Sequence, residues 1–181
     1  ISPSFSPSSV RRRGNVAGIL WEKEEKRRHL LQNLAGYLPE NTRGALEAGP
    51  GRSLADLPPE TPVFMMFGRM DPAQKGFDLL ARAVERIEPG RAKFIFALES
   101  PGGVERWVAD LDRLASERKG DVVFIPDRMT KGYFDTMAGA TYCVMPSLYE
   151  PFGAATEPYL KGTPVVACAT GGLLQQVRNY H

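Results

Sequence analysis

Arg69 and Lys75 follow an apolar run, PVFMMF, and flank a short turn containing Asp71 and Pro72. Glu150 follows a second apolar run within MPSLYEPFG, and Thr170, Gly171 and Gly172 follow a third within TPVVACATGGLL. Cations, a carboxylate and paired glycines set directly after apolar runs suit an anionic, hydroxyl-rich ligand. The cations would meet a diphosphate and the carboxylate would meet hydroxyls. Glycines let a ligand approach the backbone, and a helix starting there turns free N–H groups and its positive dipole end toward a phosphate. Each feature alone has a plain alternative. Isolated cations are usually solvated, and a Gly-Gly pair is often an ordinary strand-to-helix turn.

Whether these groups meet depends on the elements carrying them. From Thr61 onward, short runs rich in Val, Ile and Phe alternate with segments of 3.6-residue periodicity, the signature of repeated βα units. The expected strands end at Phe67, Leu98, Pro126, Pro146 and Ala169. They lack polar alternation, as strands covered on both faces should. One intervening helix carries Phe77, Leu80, Val84 and Ile87 on a single face, and another carries Val104, Trp107, Val108, Leu111, Leu114 and Ala115. A shorter helix holds Tyr133, Phe134 and Met137, and the last begins near Gly172 with Leu173, Leu174 and Val177 inward. The expected fold is therefore α/β, a Rossmann-like parallel sheet of order 3-2-1-4-5 with helices on both faces. In such a sheet, ligands bind beyond the carboxyl ends of the strands where strand order reverses. That rule sets the loops after the first and fourth strands on one crevice, with the fifth strand's Thr170, Gly171 and Gly172 at the same edge.

Residues 1–60 read as an irregular lead-in with one surface helix, in which Leu30, Leu31 and Leu34 have helical spacing; residues 61–181 form the Rossmann-like domain. Basic clusters at Arg11 to Arg13 and Lys26 to Arg28 are read as solvated. The whole chain of 181 residues is 43% hydrophobic and 24% charged, average for one globular core, and its net charge of +2 is too mild to point to nucleic acid or membrane. No window of about 18 apolar residues is present to span a membrane. Cys143 and Cys168 both lie in apolar runs and are expected to be buried thiols. Because the chain begins at Ile1, it reads as a piece of a longer protein. GPGRSL from Gly49 lacks the third glycine of a dinucleotide fingerprint and follows no strand, and no GxxxxGK[ST] loop occurs. With only His29 and His181, neither a histidine-centred triad nor a zinc cluster is expected.

The segments GRMDPAQKGFDLL, TMAGATYCVMPSLYEPFG and KGTPVVACATGGLLQQV, spread over about 120 residues, resemble retaining glycosyltransferases of the GT-B fold, nearest to the starch and bacterial glycogen synthases. The resemblance implies an enzyme, a nucleotide-sugar-dependent transferase of which this chain is the carboxy-terminal, donor-binding half. Its donor would be ADP-glucose or UDP-glucose and its acceptor an α-glucan brought by an amino-terminal half. A sixth strand and returning helix, usual after GGL, do not appear before His181, so half of a GT-B fold, truncated at its end and inactive alone, is expected. A cytoplasmic location is implied, or a plastid one for a plant source.

By the same resemblance, Arg69 and Lys75 would hold the diphosphate in place of a metal ion, with no cofactor required, and Glu150 would bind the donor's glucose hydroxyls; these three are the catalytic candidates. Gly68 lies beside them. Phe152 and Gly153 would offer backbone near the sugar, Thr170, Gly171, Gly172 and Leu173 would line the phosphate and sugar pocket through main-chain N–H groups, and Glu157 would hold the ribose. Tyr133 is either a face for the base or a core aromatic. Two spacings depart from the family: Glu150 to Glu157 is one residue short, and Arg69 to Lys75 about one residue long. Pro158 removes a helical hydrogen bond unless it sits in a first turn, so the helix there is expected to start late, with Thr156 as N-cap. A small-acceptor, sucrose-type transferase and a noncatalytic sugar-nucleotide or glucan-binding module are the alternatives.

Overall fold

The computed structural model describes residues 16–151 and 153–177. The apolar runs become five parallel strands: β2 (Val63–Arg69), β3 (Lys93–Glu99), β4 (Val122–Ile125), β5 (Tyr142–Met145) and β6 (Val165–Ala167). A two-residue strand, β1 (Arg43–Gly44), adds to one edge, and the order is β1-β4-β3-β2-β5-β6. The five parallel strands thus lie in the expected 3-2-1-4-5 order. β1 pairs antiparallel with β4, placing Arg43 opposite Phe124. It comes from the lead-in, where two residues carry no periodicity to read.

Alternate residues of each central strand enter one of two cores, as a sheet covered on both faces requires. Met65, Ile95, Ala97, Val123 and Ile125 belong to one cluster. Met66, Phe94, Phe96, Val122 and Phe124 belong to the other. Helices α2 (Phe77–Glu85) and α3 (Glu105–Glu117) cover the second face with Phe77, Val84, Leu111 and Leu114. The first face takes α4 (Tyr133–Gly139) through Met137, α6 (Leu173–Gln176) through Leu173, and α1 (Val16–Tyr37) through Leu30, Leu31 and Leu34.

Three apolar placements differ from expectation. The helix of the lead-in is not superficial, because all three of its leucines are buried in the main cluster. Cys143 is buried, whereas Cys168 is exposed, since β6 is a short edge strand that ends at Ala167. Leu174, expected inward, faces outward; Phe134, for which no face was expected, is also exposed, and its ring carries the Lys161 ammonium 4.4 Å from its centroid. No described helix is long and apolar enough to cross a membrane.

Candidate functional site

β2 and β5 are hydrogen-bonded neighbours, so the loops leaving their carboxyl ends pack together. Leu148 donates its N–H to Gln74 O at 2.8 Å. Gly76 presses on the second loop at φ +64°, where a Cβ would stand 2.2 Å from Pro146 O; no other residue fits without moving the loop. The turn between Arg69 and Lys75 is shaped by Asp71, whose Oδ1 accepts from Ala73 N–H at 3.1 Å and whose main-chain O accepts from Lys75 N–H at 2.8 Å.

This docking carries Lys75 onto Glu150. The lysine Nζ donates to Oε1 at 2.8 Å and to Oε2 at 2.9 Å. Ser147 Oγ donates to Oε2 at 2.8 Å. Glu150 is only 2% exposed, while the Lys75 side chain retains 18%. A carboxylate this dry survives because its charge is matched and its lone pairs are filled. Ser147 is absent from the sequence reading; a hydroxyl three residues before a buried glutamate is the signal that could have found it.

The glycine pair serves Glu150 more directly than it serves a guest. Gly172 donates its N–H to Glu150 O at 2.8 Å, and at Gly171 (φ +48°) a Cβ would lie 2.4 Å from that same oxygen. Thr170 N–H is taken by Cys168 O at 2.9 Å and Leu173 N–H by Thr170 O at 3.0 Å. The expectation that Thr170, Gly171, Gly172 and Leu173 all offer free main-chain donors is therefore corrected. Of the four, only the Gly171 N–H lacks an acceptor among the described residues. The cause is geometric: the neighbouring loop's Glu150 O takes the Gly172 N–H, and the turn folds back on itself so that its own Cys168 O and Thr170 O take the other two.

Arg69 points elsewhere. Its side chain is 62% exposed, pairs with Asp71 Oδ2 at 3.3 Å, and lines a cavity of about 830 Å³ beyond the carboxyl ends of β2, β3 and β4. Gly68, Tyr133 and Glu157 line the same cavity. Tyr133 OH donates to Glu157 Oε2 at 3.2 Å, and burial, then the Glu157 carboxylate, raises the phenol's pKa. Its ring meets Phe67 and Phe134 edge-on, so Tyr133 is packed as well as cavity-lining. Asp127, Arg128 and Met129, in the loop after β4, also line this space and were missed, although a charged pair directly after a strand was there to read. Gly68 joins the two groups: it borders the cavity, and a Cβ built on it would lie 3.9 Å from Lys75 Cε. The predicted residues therefore fall into a cluster around the buried Glu150 carboxylate (Lys75, Glu150, Gly171, Gly172) and an open cavity wall (Gly68, Arg69, Tyr133, Glu157), side by side.

Helix α5 (Thr156–Leu160) starts late, as Pro158 requires, and holds that proline in its first turn. Its N-cap is Ala155, one residue before the expected Thr156, and the Thr156 hydroxyl donates back to Gly153 O. Gly153, at φ +122°, gives its N–H to Gln176 Oε1 at 3.3 Å instead of leaving it open. Phe152 lies outside the described residues.

An open, mainly parallel sheet with cations, a buried carboxylate and a cavity beyond its carboxyl edge is a Rossmann-like architecture, and solved structures set it among GT-B glycosyltransferases. The chain belongs to the glycosyl transferases group 1 family, whose model matches residues 61–180. It is 33% identical over 138 residues to a D-inositol 3-phosphate glycosyltransferase of Nocardia farcinica, an alignment covering 71% of this chain and 30% of that protein. It is 39% identical over 108 residues to a glycogen synthase of Desulfatibacillum aliphaticivorans, covering 59% and 22%. Among structures, Anabaena HepE in complex with UDP and glucose aligns with a TM-score of 0.56 at 26% identity, covering 66% and 33%. The catalytic domain of Arabidopsis thaliana starch synthase IV, bound to ADP and acarbose, shares the fold with a TM-score of 0.62 at 21% identity, covering 87% and 28%. The chain thus spans about a fifth to a third of the length of these proteins.

Proposed function

We propose that this chain is the donor-binding part of a retaining hexosyltransferase that moves glucose from ADP-glucose or UDP-glucose to an α-glucan, as a starch or glycogen synthase does. The single observation carrying this is the Lys75–Glu150–Ser147 cluster beside a cavity bordered by Arg69, Tyr133 and Glu157. Ammonium has three donors and an ionised carboxylate about four acceptor sites. Two donors and three acceptors are consumed internally. One N–H of Lys75 is left for a phosphate and one lone pair of Glu150 for a sugar hydroxyl, so the pair would offer complementary single valences to a sugar diphosphate.

In this role Arg69 and Lys75 neutralise the charge that grows on the departing nucleoside diphosphate, in place of a metal ion; such preorganised cations contribute several kcal/mol to a transition state. The cavity takes the nucleoside, with Glu157 at the ribose and Tyr133 at the base. The glucan arrives from a further part of the enzyme, and the new bond forms on the face from which the diphosphate leaves. A small acceptor in place of a glucan is the second reading, favoured by the similarity to D-inositol 3-phosphate glycosyltransferases.

Calorimetric titration of the chain with ADP, UDP and their glucose conjugates tests the donor role. Arg69→Ala is the informative variant, because an exposed arginine with one ion pair to Asp71 can be removed without disturbing the core. Micromolar to millimolar nucleotide binding that falls about tenfold in Arg69→Ala, and further in Lys75→Ala, is the expected result; tenfold corresponds to about 1.4 kcal/mol. Glucan binding without nucleotide affinity would show a noncatalytic module instead.

A further inference from the structure

Ser147 is as dry as Glu150, at 2% exposure, and its hydroxyl is aimed at Glu150 Oε2. Its segment does not need that hydroxyl to stay in place. Before the serine, Met145 O accepts from Cys168 N–H at 3.1 Å; after it, Leu148 N–H bonds Gln74 O, Thr170 Oγ1 donates to Leu148 O at 2.9 Å, and Gly172 N–H bonds Glu150 O, so the main chain is pinned on both sides of the serine. What the hydroxyl adds, beside the two bonds from Lys75, is a restraint from the loop itself on rotation of the carboxylate about its last side-chain bond, a broad and soft torsion when unsupported. The carboxylate in turn holds two of the three N–H bonds of Lys75.

We infer that Ser147 is a positioning residue: by locking the Glu150 carboxylate it fixes the direction of the remaining N–H of Lys75. The effect reaches a diphosphate only through the donor-binding role proposed above, on which this part of the inference rests. Without the hydroxyl, Oε2 loses one of its donors, the carboxylate can turn, and Lys75 is held less firmly. A purely structural serine would affect melting but not the chemistry of the lysine.

Two readouts separate these roles in the full chain. The first needs no ligand: acetylation of Lys75 by acetic anhydride, followed by peptide mass spectrometry, with the exposed Lys119 as internal reference. The second is the affinity for ADP and UDP. Ser147→Ala is expected to accelerate Lys75 acetylation several-fold relative to Lys119 and to weaken nucleotide binding five- to tenfold; Ser147→Thr, which keeps the hydroxyl, is expected to restore both. Unchanged Lys75 reactivity in Ser147→Ala overturns the inference whatever the nucleotide does. Accelerated acetylation in a chain whose wild type binds no nucleotide upholds the positioning of Lys75 and removes the donor reading instead. Should Ser147→Ala fail to fold, Ser147→Thr decides: reactivity matching wild type supports the role of the hydroxyl, and reactivity well above it ends the proposal.

Discussion

Among the described residues, Lys75 is the one cation paired with Glu150, a carboxylate that water scarcely reaches. Truncating it strands that charge, the situation in which a buried pair costs most. Lys75→Met is therefore expected to lose about 2–4 kcal/mol, below the top of the range for such losses because the ammonium is partly open to solvent. Adding Glu150→Gln removes the stranded charge and is expected to recover most of the loss. Urea midpoints for both single variants and the double variant complete the cycle, and strictly additive losses would show that the pair is not coupled. Gly171 is the second residue on which the cluster depends. An alanine there adopts a left-handed φ of +48° and drives its Cβ to 2.4 Å from Glu150 O, against main chain that has nowhere to yield. A cost of about 1–3 kcal/mol is expected from strain and overpacking. A thermal midpoint equal to wild type in Gly171→Ala would remove the reason for a glycine at this position.

At the scale of elements, α1 reaches the site-bearing face through polar groups as well as leucines. Arg27 donates to Pro58 O at 2.9 Å and Thr61 O at 3.0 Å, tying the helix to the entry of β2. Lys23 Nζ donates to Ala138 O at 2.7 Å and Thr163 Oγ1 at 2.6 Å, joining α1 to α4 and to the approach of β6. Neither partner is a carboxylate, and two donors are all that a neutral amine has. Burial first lowers the Lys23 pKa from 10.5 to about 7; Cys143 opposes that shift and Lys26 adds to it. Between pH 7 and 10.5 the unfolded chain thus binds the proton that the folded chain releases, and stability rises with pH. Cys143 acts the other way, since burial pushes its thiol from 9 up to about 12, but only above pH 9. From pH 7 to 9 the midpoint of unfolding is accordingly expected to climb, and Lys23→Met to flatten that climb. A wild-type midpoint that falls over this interval would contradict the assignment.

For the molecule as a whole, the sheet was legible because five apolar runs each fill a strand, the central ones buried on both faces, and strand order follows from right-handed crossovers. That Lys75 and Glu150 would meet was legible from the same order. The role of Ser147 was not, since it depends on a side-chain torsion inside a turn, nor was the occupation of Gly172 N–H by a neighbouring loop. The burial of α1 was hidden because Lys26 and Arg27 lie on its inward stripe beside the leucines, with apolar stems that count as charge in a sequence. That misreading has a measurable consequence. A chain starting at Thr61 keeps the five parallel strands and all the candidate site residues, yet loses Leu30, Leu31, Leu34, Leu46 and Leu57 from the core. At about 1.5–3 kcal/mol for each fully buried leucine, the loss is about 7–15 kcal/mol, an upper figure because of the extended-chain reference. A whole domain is stable by only about 5–15 kcal/mol. The shortened chain also uncovers Met137 and Ala140, which share that core. It is expected to keep far-ultraviolet circular dichroism while losing near-ultraviolet signal and cooperative melting, with the dye ANS binding the exposed face. Cooperative unfolding of the 61–181 fragment near the full chain's midpoint would instead establish that the site-bearing sheet stands alone and that α1 is only an attachment.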